Sequence, residues 1–144
     1  MYDKEKIILI IEDIEKYFNE IENMRIKKES DLDIIKFRAA SMDIFSIINK
    51  TIDLSEEVVS SKNLGFPMQY KDLFTFLVQS KIIDKKLSEG LKELIILRNK
   101  ISHRYGAISE KEIFEAIKKI EIVKDFIKSI KREVLKWIRR GLQN

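Results

Sequence analysis

Residues 91–105 read LKELIILRNKISHRY. At about 100° per residue, Leu87, Leu91, Leu94, Arg98, Ile101 and Tyr105 fall along one stripe of a helix. Leu94 to Leu97 are four consecutive apolar residues and cover most of the circumference, so this helix is expected to be buried on more than one side. One side belongs against the core of a helical bundle. The other calls for a second copy of the chain, most simply about a two-fold axis. Arg98 and Tyr105 stand where apolar residues stood one or two turns earlier, and a guanidinium so placed needs a partner or a cavity. Asn99 and His103 share a second face with Ile96, roughly 140° round from Arg98.

Working outward, apolar residues at Ile7, Ile10, Ile11, Ile14, Phe18 and Ile21 carry the i, i+3, i+4 rhythm of an amphipathic helix from about Asp3 to Met24. The charged interruption RIKKESD ends it, and Ser30 or Asp31 can cap a second helix that runs through Leu32, Ile35, Ala39, Met42, Phe45, Ile48 and Ile52 toward Val59. The stretch SKNLGFPMQY holds the single proline, Pro67, and is the clearest break in the chain. A short helix follows from about Gln69 to Ser80, and Asp84 or Ser88 opens the motif helix, which Gly106 is placed to stop. Ser109 and Glu112 form an S-x-x-E capping box, and a last helix carries Ile113, Ile117, Ile120, Val123, Ile127, Ile130, Val134 and Ile138. No alternating strand pattern appears. The expected architecture is all-α: an antiparallel bundle of four main helices and a short one, spanning 1–144 as one domain.

With 144 residues the chain can bury a core without metals or disulfides, and with no cysteine it offers neither thiolate ligands nor a thiol nucleophile. The apolar run Ile7 to Ile11 is framed by charges and too short for a signal or membrane segment; a cytoplasmic protein is expected. A net charge of +4 does not by itself demand a nucleic-acid partner. Lys128, Lys131, Arg132, Lys136, Arg139 and Arg140 crowd the end of the last helix, where they suit either an RNA backbone or the helix macrodipole. Trp137 beside them reads as core or interface. The acidic groups Glu12, Asp13, Glu15, Glu20 and Glu22 read as solvated faces, and no phosphate-binding glycine loop is visible.

His103 is the only histidine. Near a helix C-terminus it fits a dipole-compensating surface role as well as a catalytic one. R-N-x-x-x-H-x-Y, present as Arg98, Asn99, His103 and Tyr105, resembles the signature of HEPN-domain ribonuclease toxins of the HepT type. The similarity extends upstream through the GFP break and, with the first two helices, covers nearly the whole chain. The resemblance implies a homodimer with a composite cleft, and metal-independent endoribonuclease activity without cofactors. It also implies the toxin role in a type II toxin–antitoxin pair whose MNT-type nucleotidyltransferase antitoxin transfers AMP to the motif tyrosine. Carried over by residue, Arg98 and His103 become the catalytic pair, Asn99 a supporting polar residue and Tyr105 the AMP acceptor. Lys100 and Arg104 become candidate RNA contacts; Arg104 stands where relatives often carry an acid.

The residue types suit that chemistry. Cutting RNA without a metal uses the ribose 2′-hydroxyl as nucleophile, so the site needs a group titrating near neutrality and a fixed cation for the crowded phosphate. The alternative of another class is a catalytically silent helical module that scaffolds a nucleotidyltransferase or binds a nucleotide.

Overall fold

The computed structural model describes residues 3–103 and 107–143. Among them the chain forms α1 (Lys4–Asn23), a 3₁₀ turn (Glu29–Asp31), α2 (Ile34–Ser61), α3 (Tyr70–Gln79), α4 (Lys85–His103), α5 (Glu110–Lys119) and α6 (Ile122–Gln143). The architecture is the all-α bundle expected from the periodicity. Caps set the helix starts: Asp3 accepts from the Lys6 N–H, Asp33 from Lys36 and Asp84 from Leu87, and Ser109 and Glu112 close the capping box. The helix ends use residues other than glycine in the left-handed region, with Arg25 at φ 53°, Asn63 at 50° and Lys81 at 61°. At Asn63 the chain turns so that the Leu64 N–H reaches the Val59 carbonyl, and after Lys81 the Ile82 N–H reaches Leu77.

The last segment differs from the sequence expectation. The apolar register from Ile113 to Ile138 runs as two helices, broken at Ile120 and Glu121. The break holds neither Gly nor Pro. It is made by tightened turns in which the Val123 N–H bonds Ile120 and the Lys124 N–H bonds Glu121. Ile120 and Val123 stay buried on either side, so α5 can pack on α2 while α6 packs on α4.

The long helix α2 lies at the centre, against α1, α3, α4 and α5. Its buried hydroxyls are satisfied within the helix: Ser41 donates to Phe37, Thr51 to Ile47 and Ser55 to Thr51. The acidic residues of α1 lie on solvated faces, as their pattern suggested, and three of them also form surface ion pairs. Asp13 pairs with Lys50, Glu15 with Lys131 and Glu22 with Lys124, tying α1 to α2 and α6. Trp137 donates its indole N–H to Glu133, which also takes Lys62 from the end of α2. Burial pushes the Glu133 carboxyl up, but the Lys62 bond and charge, with Trp137, outweigh it and hold it below the usual range.

Asp43 of α2 is buried at 7% exposure. Desolvation first, then the hydrogen bond and charge of Glu20, raise its carboxyl to about 7. Unfolded, the group releases its proton near pH 4; folded, it keeps it to near neutrality, so the native state binds more protons in that window and stability falls as pH rises through it. Asp43→Asn keeps a donor toward Glu20 and removes the titration. It should raise the unfolding free energy at pH 8 by on the order of 2 kcal/mol and by much less at pH 4, as read by urea denaturation at both; equal gains would show that Asp43 does not carry this dependence.

Candidate active site

The stripe of α4 that carries Leu91, Leu94 and Ile101 into the core also carries Arg98. The guanidinium finds its partner on α2. Its Nε donates to Asn49 Oδ1 at 2.8 Å and its Nη1 to Asn99 Oδ1 at 3.0 Å. Its Cζ lies 5.6 Å from the ring centres of both Phe45 and Tyr70. Phe45 and Asn49 are one turn apart on α2, and Tyr70 is the first residue of α3, so three helices converge on one cation. Arginine rather than lysine suits this place, because a flat, weakly hydrated guanidinium stacks on rings and bonds through its edge at once. Among the described residues Nη2 has no hydrogen-bonding partner, which leaves donors for an incoming anion.

Asn99 is exposed and serves Arg98 directly. His103 ends α4, exposed, with no hydrogen bond or ion pair among the described residues. Helix geometry places it well round from Arg98, so a single copy does not bring the two onto one phosphate. Lys100 pairs with Glu112, the capping-box acid of α5. The Lys100 hydrogen bond, with the Ser109 N–H, holds the Glu112 carboxyl below its ordinary range, so the charge of Lys100 is already engaged. Arg104 and Tyr105 lie outside the described residues, as does the stop expected at Gly106. Ile96 remains 56% exposed, so one flank of this largely apolar helix is uncovered in a single chain. No three His, Cys, Asp or Glu side chains among the described residues converge as a metal site would require.

Asn49 and Tyr70 escaped the sequence reading, and Phe45 entered it only as an apolar residue of the second helix. Asn49 carries a signal in hindsight, as a polar residue on the i, i+3, i+4 rhythm of Phe45, Ile48 and Ile52. Tyr70 carries none beyond its place after the proline break.

This geometry can be set beside known proteins. Residues 7–130 match the family described as HepT-like, ribonuclease HepT-like. The chain belongs to that family. The mRNA nuclease HepT of Shewanella oneidensis is 31% identical over 83 residues, which are 57% of this chain and 62% of that protein. The match therefore spans less than two thirds of that relative's length. In structure, the tri-AMPylated HEPN toxin of Shewanella oneidensis in complex with MNT antitoxin superposes with a TM-score of 0.81 at 25% identity, over 92% of this chain and 99% of that one. A toxin–antitoxin structure with AMP-PNP gives 0.82 at 23% identity, over 90% and 99%. At that identity the likeness speaks to the fold, which is the HEPN helical bundle.

If Asn49 holds Arg98 as described, the two are energetically coupled. Asn49→Ala should cost about 1–2 kcal/mol of stability in the native chain and distinctly less in an Arg98→Ala background. A double-mutant cycle by thermal or chemical unfolding checks this; additive effects would deny the coupling.

Proposed function

We propose that this chain is the ribonuclease toxin of a two-gene toxin–antitoxin pair and cuts RNA without a metal. The observation that carries the reading is Arg98: a guanidinium fixed by Asn49, Phe45 and Tyr70, with a donor edge left over, on the helix that ends in the exposed His103. The family match and the name of the 31% identical relative point the same way.

In the proposed reaction the ribose 2′-oxygen attacks the adjacent phosphorus as the P–O5′ bond breaks; one His103 accepts the 2′-hydroxyl proton, and the departing 5′-oxygen takes a proton from the His103 of a second copy or from water. Arg98 donates to the phosphoryl oxygens, whose charge grows as the fifth bond forms. The products are a 2′,3′-cyclic phosphate and a free 5′-hydroxyl. Because Arg98 and His103 stand on different faces of α4, the reading includes a homodimer in which two copies of the helix face each other through the uncovered Ile96 flank. Asn99 orients the guanidinium. Arg104 adds positive charge for the RNA backbone, and so does Lys100, for which the backbone competes with Glu112.

The partner in this reading is an MNT-type nucleotidyltransferase antitoxin that attaches AMP to Tyr105, adding bulk and negative charge to the motif and so opposing an RNA phosphate. The solved toxin–antitoxin pair from Shewanella oneidensis, with its AMPylated toxin, supports it.

Protein made without a nucleotidyltransferase should degrade total RNA in excess EDTA and leave DNA intact. His103→Ala should slow cutting by about 10²–10⁴-fold and Arg98→Ala by about 10²–10³-fold. Intact RNA, from protein whose mass shows no AMP on Tyr105, would turn the reading to a silent partner of the nucleotidyltransferase.

A further inference from the structure

The loop between α2 and α3 presents apolar side chains to solvent where a monomer's fold gains nothing from them. Phe66 is 85% and Met68 87% exposed. Yet the loop is pinned. Three atoms of the Phe76 ring lie within 2.9 Å of where a Cβ on Gly65 would stand, so only glycine lets the chain rest on that ring. On the other side the Asp72 carboxylate accepts from the Met68 and Gln69 N–H groups at 2.9 and 3.1 Å. The tip is therefore held in place while its side chains point outward, an arrangement that lowers the ordering cost of binding.

The tip borders an open cleft of about 820 Å³ lined by Phe66, Met68, Tyr70, Glu56, Asn63 and Gln69, among others. Its size is that of a small-ligand pocket, and its lining mixes ring surface with a carboxylate and two amides. One wall is Tyr70, whose ring also lies 5.6 Å from the Arg98 guanidinium. The cleft and the candidate phosphate site thus share a side chain.

We infer that this cleft receives the base of the RNA nucleotide next to the phosphate held at Arg98, and that it favours guanine over uracil. The inference deepens the proposed ribonuclease function and rests on it. A base offers a flat face to Phe66 and Tyr70, and stacking of that kind tolerates any base. Discrimination falls to Glu56. A carboxylate accepts two adjacent N–H donors, which guanine presents on its N1 and N2 edge; uracil presents one N–H between two carbonyl oxygens, which a carboxylate repels. The same carboxylate disfavours a phosphate inside the cleft, keeping the backbone on the Arg98 side of Tyr70. A protein partner would leave the polar lining and the shared Tyr70 wall without a role.

The test uses uncleavable 2′-O-methyl hexanucleotides with a fluorescent label, one all uridine and one with a single central guanosine, and reads binding by anisotropy. The native chain should bind the guanosine hexamer about tenfold more tightly, and Phe66→Ala and Glu56→Gln should each bring the two within about twofold of each other. Both residues are exposed, so an unchanged circular dichroism melt is expected and confirms that the variants fold. Equal binding of both hexamers by the native chain would overturn the inference, as would a preference that survives both substitutions. So would free GMP binding as tightly as the hexamer, which would make this a nucleotide site. Variants that keep RNA affinity but lose co-purification with the antitoxin would assign the tip to the protein partner. Because no bond is cut in this assay, guanosine-selective binding with no cleavage of ordinary RNA would sink the nuclease reading and leave the base site standing.

Discussion

A charged group on the core-facing side of a helix obliges everything near it to adjust, and in this bundle the group is Arg98. Taking a guanidinium out of water is costly unless its donors are met. Here α2 supplies an amide oxygen and a ring, α3 a second ring, and α4 itself the neighbouring amide of Asn99. One side chain thus ties α2, α3 and α4 together. What a purely structural solution would have done, burying a leucine there, would hold the helices as well and present no cation.

Much of the frame could be read from the chain. The starts of α1 and α4 followed from Asp3 and Asp84, and that of α5 from Ser109 and Glu112, because a cap is a local contact between residues three apart. The break at Ile120 and Glu121 could not. The apolar positions Ile117, Ile120, Val123 and Ile127 continue through it at helical spacing, and the turn is imposed by the need of α5 and α6 to lie on different helices. A periodic pattern reports which residues face inward; it does not report that the inward direction has changed.

The candidate site was legible to the same degree. Arg98, Asn99 and His103 stood out because they sit within one short helical stretch with unusual residue types. Asn49 and Tyr70 did not, since their bearing on Arg98 spans 49 residues in one case and a proline-broken loop in the other. Contacts between helices distant in sequence leave no periodic trace. The pairing of Lys100 with Glu112 is of the same kind: nothing in the spacing of the two residues predicts it.

The helix ends at Arg25 and Lys81 carry a consequence of another sort. Neither α1 nor α3 has a basic residue in its last turn, so the partial negative charge of each C-terminus is unopposed within the helix. The second residue beyond each end, Arg25 or Lys81, adopts the left-handed conformation that glycine adopts freely and a side chain adopts only with strain. In both places that side chain is a cation. Each end thus exchanges backbone ease for a cationic residue close in sequence to its last carbonyls. Glycine there would relax the backbone and discard the counter-charge, so the net gain from relieving the strain would grow as added salt screens the interaction that the cation provides.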